Sequence, residues 1–392
     1  MLINRSHWFP LSAFSRGSAP GNVLRRRKSK SAVIIFIPGG TENGGGIGRQ
    51  MGYFLQEQKN NDLGSAYAVV DTRGPRFIDG SFLHAIPAVF SLALSVARLA
   101  QARMSGAAGL AHINIAGRGS TVRKLVVAMA SRVVGMPYLL HVHDYNYAED
   151  YNRRNVLTQA LVRRMFRGAV KTLVLGASER QAISTRLGLA PDKIAVLHNA
   201  VPDPQPENVR HSAGECRIVF LGTLAERKGV PELIRALGCP ALRGRRWRAT
   251  LAGDGRVEEF CRLASELGIA DRIEFPGWVD QAATRAVCEA ADVLVLPSHA
   301  EGLAMSVLEG LSYGLAVIAT PVGAHSEVIE PEVSGLFVPP GNVEALSLAL
   351  ARVIDDPLLR ARLGAGARRR FLESFNVRGY AEQLEKIHAS LM

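Results

Sequence analysis

Residues 291–309 read ADVLVLPSHAEGLAMSVLE. Asp292 to Leu296 is a short apolar run, which suits a strand buried on both faces of a parallel sheet. Pro297 and Ser298 end it, and after a short loop Leu303 to Leu311 reads as a helix. Glu301 stands just before that helix and Glu309 sits about two turns inside it. The start of a helix leaves backbone N–H groups without intrahelical partners, here at Gly302, Leu303 and Ala304, and carries about half a positive charge. That arrangement suits phosphate. Carboxylates do not bind phosphate, but they accept hydrogen bonds from hydroxyls. The corner therefore predicts a ligand that has both. A nucleotide-sugar, with two hydroxyl-bearing rings joined by a diphosphate, fits two carboxylates flanking an N–H cluster.

The text around this corner extends the pattern: EGLAMSVLEGLSYGLAVIAT over 301–320, PVGAHSEVI over 321–329 and SGLFVPPGN over 334–342. With glutamates at 301 and 309, it resembles the paired-glutamate motif of the retaining glycosyltransferases of family 4. The resemblance is most specific in the second half of the chain. It implies a GT-B fold, an α/β architecture of two Rossmann-like doubly wound domains facing across a cleft, with a C-terminal helix crossing back to the first. It also implies that Glu301 contacts the transferred sugar and that Glu309 holds the nucleotide ribose.

Other residues match the family position by position. In GTLAERKGV (222–230), Lys228 matches a lysine that neutralises the donor's phosphates. The family's arginine usually follows the first glycine, where this chain has Thr223; Arg227 is the candidate replacement. The glycine cluster GGTENGGGIGRQ (39–50) follows the first apolar run, AVIIFIP (32–38). Glycine lets a backbone approach a ligand closely, and the resemblance places Gly45 and Gly46 against the donor diphosphate. Pro137 to Val142 reads as a strand ending in His143 and Asp144, at the end of the sheet where ligands bind. The resemblance gives His143 a contact with the transferred sugar. Asp144 is either a catalytic carboxylate or a cap for the next helix. Tyr145, Tyr147 and Tyr151 suggest an aromatic wall for an acceptor. IEFPGWV (273–279) resembles the segment whose backbone meets the nucleobase at Val279, which leaves uracil and guanine undistinguished.

Charge divides the chain. Residues 1–199 carry 26 Lys and Arg against 10 Asp and Glu, and residues 200–392 carry 21 against 25. A basic half beside a slightly acidic one points to an anionic surface, nucleic acid or membrane, for the first half. Nothing resembles a nucleic-acid-binding motif, so an anionic membrane surface is the expected partner. Phe82 to Ala97 holds no charged side chain other than His84 when protonated, is too short to span a bilayer, and reads as a packed or interface-lying helix. The four cysteines show no paired metal-ligand spacing and read as buried thiols.

The expected plan is a basic flexible extension over 1–31, with no apolar signal core. An acceptor-side domain follows over 32–200, a Pro-rich linker over 201–214, a donor-nucleotide domain over 215–372, and a terminal helix over 373–392. The expected activity is transfer of a hexose from a UDP- or GDP-linked donor, with retention, to a lipid-linked or saccharide acceptor in bacterial polysaccharide or glycolipid synthesis. Glu301, His143 and Lys228 are the candidate catalytic residues. Gly45, Gly46, Arg227, Lys228, Val279, Gly302, Leu303, Ala304 and Glu309 are the candidate donor-binding ones. The absence of a DxD-type carboxylate cluster predicts metal independence and no cofactor. The expected location is cytoplasmic, peripheral on the inner face of the membrane. Two alternatives compete: a sugar-nucleotide epimerase on the same fold, and a non-catalytic scaffold with a degenerate site.

Overall fold

Alternation along the first strand sets the packing of the first half of the chain. β1 (Ala32–Ile37) sends Val33, Ile35 and Ile37 to one side of its sheet and Ile34 and Phe36 to the other, and all five are buried. The computed structural model describes residues 32–38, 45–61, 66–72, 85–206 and 214–392. The 1–31 extension, Gly39, Gly40, Gly44, Phe82 to His84 and residues 207–213 of the linker lie outside the described residues.

The first sheet adds β2 (Tyr67–Asp71), β3 (Ala108–Ile115), β4 (Tyr138–Val142), β5 (Lys171–Val174) and β6 (Ile194–Val196). All pairs are parallel, in the order β2-β1-β3-β4-β5-β6. Its helices are α1 (Gly45–Asn61), α2 (Ala85–Met104), α3 (Arg118–Val133), α4 (Tyr147–Asn152), α5 (Val156–Gly168) and α6 (Ala177–Leu187). The side reached by Ile34 and Phe36 is covered by α2, α3 and α5 through Leu99, Val127 and Phe166. The other side is covered by α1 through Met51 and Phe54.

The second sheet is built from β7 (Cys216–Leu221), β8 (Trp247–Ala252), β9 (Ile273–Gly277), β10 (Val293–Leu296), β11 (Ala316–Ala319) and β12 (Gly335–Phe337). These strands are also all parallel, in the order β12-β11-β10-β7-β8-β9. Its helices are α7 (Val230–Leu237), α8 (Val257–Glu266), α9 (Gln281–Ala290), α10 (Met305–Ser312), α11 (His325–Val328), α12 (Val343–Asp355) and α13 (Pro357–Ser374). The last helix, α14 (Val377–Leu391), leaves this half and returns to the first sheet, packing Tyr380, Ala381 and Leu384 beside α1. The chain is tied where it crosses: the Val201 N–H donates to the Phe375 carbonyl at 3.1 Å, and the Val377 N–H donates back to Val201 at 3.0 Å. Among the described residues no helix is long and apolar enough to cross a membrane.

Both sheets reverse strand order once near their centres, between β1 and β3 and between β7 and β10. In open parallel sheets the crevice outside the carboxyl ends of the strands at such a reversal is where ligands bind. The second reversal lies between the strand that precedes Lys228 and the strand that precedes Glu301.

Candidate functional site

β10 is four buried aliphatic residues, and Pro297, which lacks an N–H, follows it. The chain then turns through Glu301 into α10. Two glycines fix this turn. Gly323 has φ +57°, and a Cβ there would lie 2.1 Å from the Glu301 carbonyl oxygen. Gly229 has φ +70°, and a Cβ there would lie 2.1 Å from the Pro297 carbonyl. Only glycine allows both approaches, and the second holds the Arg227–Lys228 turn against the loop.

Three expected residues meet there. Lys228 Nζ lies 2.7 Å from Glu301 Oε1, and Arg227 Nη1 lies 3.2 Å from the same oxygen. Glu301 is only 9% exposed. Burial alone would raise its pKa; Lys228 first, and then Arg227, outweigh that and hold it below the usual carboxylate range. Arg227 also donates to the Ala300 carbonyl at 2.5 Å, and its guanidinium lies 5.0 Å from the centre of the Tyr145 ring. Thr223, at the position where an arginine was expected, donates its hydroxyl to Asp254 at 3.0 Å. The second cation beside Glu301, after Lys228, is therefore Arg227.

The helix begins later than its sequence suggests. Ala304 is the N-cap of α10, so the four unpaired N–H groups at the helix start belong to Ala304, Met305, Ser306 and Val307, and Gly302 and Leu303 lie before it. Leu303 and Ala304 are buried, and the Leu303 carbonyl accepts from Asn199 Nδ2 at 3.1 Å. Gly302 faces the other half: a Cβ on it would come within 3.7 Å of the His143 carbonyl and 3.9 Å of the Tyr145 nitrogen.

Glu309 is buried inside α10, and its partner comes from across the cleft. Arg49 Nη1 of α1 lies 3.1 Å from Glu309 Oε1. Burial raises the Glu309 pKa, and Arg49 opposes the rise. Tyr53, one turn along α1, is pushed up to about 12 by burial and by Glu309. Gly45 and Gly46 form the exposed first turn of α1, one turn before Arg49, and space is open around both. Val279 follows β9 at the far edge of the second sheet, three strands from β10, about 14 Å at the usual strand spacing. It packs partly on the core and stands apart from the Glu301 cluster.

His143 sits at the carboxyl end of β4, half-buried, with its pKa lowered to about 3 by burial. Its Nε2 lies 2.8 Å from Asn114 Oδ1, and the Asn114 amide nitrogen donates to the Phe36 carbonyl at 3.3 Å. That second bond fixes the amide orientation, so His143 Nε2 carries the proton and Nδ1 is left as an acceptor. Asp144 accepts from the Asn146 N–H at 3.2 Å, ahead of α4. Of the three tyrosines, only Tyr145 is exposed. Tyr147 and Tyr151 lie four residues apart on α4 and are buried in the first core; Tyr147 still borders a cavity between the halves with Tyr145, but Tyr151 does not, so the three do not form one wall.

A cavity of about 470 Å³ opens between the halves. Tyr145, Glu149, Glu179 and Arg186 line one side, and His299, Glu301 and Gly302 line the other. Burial raises Glu179 to about 8; the Leu175 N–H opposes this and Asp144 adds to it. Glu327 ties the halves behind the cavity, accepting from the Ala177 N–H at 2.7 Å and lying 3.0 Å from His198 Nε2. Sequence reasoning did not reach Arg49, Asn114 or Glu179. Arg49 carried a faint signal, as a cation one turn beyond the glycine cluster.

The family model described as "Glycosyl transferases group 1" matches residues 203–370. The 2-deoxystreptamine glucosyltransferase of Streptomyces kanamyceticus is 30% identical over 259 residues, spanning 61% of this chain and 67% of the relative. The lipopolysaccharide core biosynthesis glycosyltransferase LpsD of Rhizobium meliloti is 31% identical over 226 residues, 55% of this chain and 64% of that one. Among solved structures, HepE of Anabaena in complex with UDP and glucose superposes with a TM-score of 0.71 at 18% identity, covering 92% of this chain and 100% of that one. The two six-stranded sheets have the GT-B arrangement.

Proposed function

The chain belongs to the group 1 glycosyl transferases, and from that premise we propose that it is a retaining hexosyltransferase using a nucleoside diphosphate donor and a lipid-linked or saccharide acceptor. The observation that carries the reading is the Lys228–Glu301–Arg227 cluster beside the first turn of α10, with Glu309 further along the same helix. The relative in lipopolysaccharide core synthesis supports a bacterial polysaccharide or glycolipid product. UDP in HepE supports a uridine donor.

In the proposed reaction the bond from the anomeric carbon to the β-phosphate oxygen breaks. A bond from that carbon to the acceptor oxygen forms on the same face, and the acceptor's proton passes to the departing phosphate oxygen. Negative charge gathers on the diphosphate as the first bond breaks. Preorganised cations and N–H groups aimed at developing charge are the largest source of rate in such sites. Lys228, Arg227 and the N–H groups of Met305, Ser306 and Val307 fill that role. No metal ion is required, because the side chains supply the positive charge. His143 is neutral at pH 7, so it accepts a sugar hydroxyl at Nδ1 rather than delivering a proton. Glu301 orients the sugar and Glu309 the ribose. Val279, at the far edge of the sheet, suits a base separated from the sugar by the length of a diphosphate.

Arg49 holds Glu309 until ribose hydroxyls replace it, and it then turns to the diphosphate. Arg49→Gln is expected to raise the donor KM about tenfold with kcat nearly unchanged, the sign of lost uniform binding. Steady-state kinetics with the donor varied check this; an unchanged KM removes Arg49 from the donor site.

The reading is tested by thermal unfolding with UDP, GDP, ADP and their common sugar conjugates. A ligand at 100 times its Kd stabilises the fold by about 2.7 kcal/mol, a shift of a few degrees. UDP and one UDP-sugar are expected to give that shift. No response from any nucleotide would overturn the reading. Product analysis without acceptor then separates transfer from epimerisation.

A further inference from the structure

The outer helices of the first sheet are apolar on the wrong side. α2 exposes Val89, Phe90, Ala93, Leu94, Ala97 and Met104, with Phe90 69% exposed. At 3.6 residues per turn these positions form one stripe, interrupted by a single polar residue, Gln101. Beneath it the polar Ser95 is buried, its hydroxyl donating to the Ser91 carbonyl at 2.8 Å. Next to α2, α3 exposes Val122, Val126 and Val133, the last 87% exposed. Next to α3, α5 exposes Val156, Leu157 and Leu161. The three helices pack side by side on one face of the sheet, α2 against α3 and α3 against α5. Single exposed aliphatic residues are ordinary, but a contiguous apolar face marks an interaction surface.

Cations border this face. Arg132 at the end of α3 and Arg163, Arg164 and Arg167 on α5 surround a cavity of about 590 Å³. Among the described residues none of the four has a carboxylate partner, whereas Arg49, Arg153 and Arg154 each have one. Arg163 donates to the Tyr151 hydroxyl at 2.7 Å and Arg132 to the Arg164 carbonyl at 3.4 Å, both neutral oxygens. Four guanidinium groups gathered without counter-charge suit a phosphate, which Arg binds in a bidentate fork.

We propose that the α2–α3–α5 face is the docking surface for an anionic lipid bilayer. The exposed valine, leucine and phenylalanine side chains sit at the acyl boundary, and the arginine cavity takes a phospholipid phosphate. Apolar stripes bordered by arginine are what an interfacial helix presents to anionic lipid. Nucleic acid would use the arginines and leave the stripes uncovered. The placement also serves the reaction. Each helix runs back against its strand, so the amino-terminal ends of α2, α3 and α5, with Phe90, Val122 and Leu157, lie toward the carboxyl ends of the strands. That is the cleft side, where a lipid-linked acceptor would enter. In this last respect the proposal rests on the transferase reading above.

The test is co-sedimentation of the full chain with vesicles. The chain is expected to sediment with equal parts phosphatidylcholine and phosphatidylglycerol, to stay in solution with phosphatidylcholine alone, and to be released by high salt. Phe90→Glu with Leu94→Glu, and separately Arg163→Gln with Arg164→Gln and Arg167→Gln, are each expected to weaken binding at least about tenfold. All these side chains reach solvent, so the thermal midpoint and the nucleotide shift are expected to be unchanged. Equal binding by wild type and both variants overturns the surface, and so does equal binding to neutral vesicles. A dimer that the variants split, without vesicle binding, makes the face a self-association surface instead. A normal nucleotide shift without vesicle binding overturns the docking surface alone. Vesicle binding without any nucleotide response overturns the transferase reading and leaves the surface standing.

Discussion

Lys228→Ala is expected to lower kcat by about a hundredfold or more while the protein remains folded. The magnitude follows from what removal of one preorganised donor to a developing negative charge costs, roughly 10²–10³ in rate. Lys228 is placed for that role by its surroundings. Gly229 presses its turn onto Pro297, and Glu301 holds its ammonium at 2.7 Å. Its side chain is 14% exposed, so water screens it little, while that of Arg227 is 40% exposed. Arg227 therefore replaces Lys228 poorly in the variant. A second consequence concerns Glu301. Burial pushes its pKa up and Lys228 is the largest influence pulling it down. Without the lysine its pKa rises, and the fall in rate on acidification begins at a higher pH than in the wild type. Lys228→Arg separates the two effects. It keeps the charge but changes the reach and the hydration of the head group, so it should restore the wild-type pH profile more fully than the rate. The measurements are kcat against pH for wild type and both variants, with circular dichroism to show folding. A Lys228→Ala enzyme with kcat within threefold of wild type would remove the lysine from the reaction.

The central corner was legible because its information is local. An apolar run ending at Pro297, a loop and a helix give the β10–α10 unit, whereas the backbone contacts that require glycine at 229 and 323 appear only in the folded chain. The start of α10 was misplaced by two residues because Leu303 and Ala304 suit a helix, yet they are buried in the loop, with the Leu303 carbonyl bound to Asn199. Arg49 and Glu309 are 260 positions apart, and no periodicity links them. Tyr147 and Tyr151 were misread for a different reason. Their spacing of four is a helical core signature, which aromatic chemistry obscured. In α2 the lack of charge was visible, but its direction was not. Only the packed structure shows Ser95 inside and Phe90 outside.

Acidification is expected to loosen α14 from the first sheet. His112 of β3 and His141 of β4 lie diagonally on neighbouring strands, with Asn114 opposite His141. Both face α14. His112 Nδ1 lies 3.1 Å from His388 Nε2, His112 Nε2 lies 3.3 Å from His141 Nδ1, and His388 Nδ1 lies 3.2 Å from the Tyr67 hydroxyl. His141 stacks beside His143 with ring centres 4.0 Å apart. Each link needs one donor and one acceptor, so every ring in the chain carries a single proton, whichever way the chain runs. A second proton on His112, whose two nitrogens both face histidines, turns an acceptor into a donor aimed at a donor. Burial acts in the same direction: it lowers His388 to about 3 and holds His112 and His141 well below the usual histidine range. The sign then follows. Unfolded histidines take protons near pH 6.5, whereas folded His143 and His388 stay neutral to about pH 3, and burial keeps His112 and His141 neutral well below the usual range. The unfolded chain binds more protons between these values, so stability is fully present above pH 6.5 and falls as the pH drops. His143 and His388 together contribute a loss of about 4 kcal/mol by pH 5, at about 1.4 kcal/mol per pH unit each. That is a large share of the 5–15 kcal/mol typical of a domain. Urea unfolding at pH 7.5, 6 and 5 measures it. His388→Gln, which can still hydrogen-bond but cannot titrate, should be less stable at pH 7.5 and lose less on acidification. Stability that stays level down to pH 5 would mean that the buried histidines exchange protons with solvent as freely as unfolded ones, and the cluster would then lose its place as the clamp on α14.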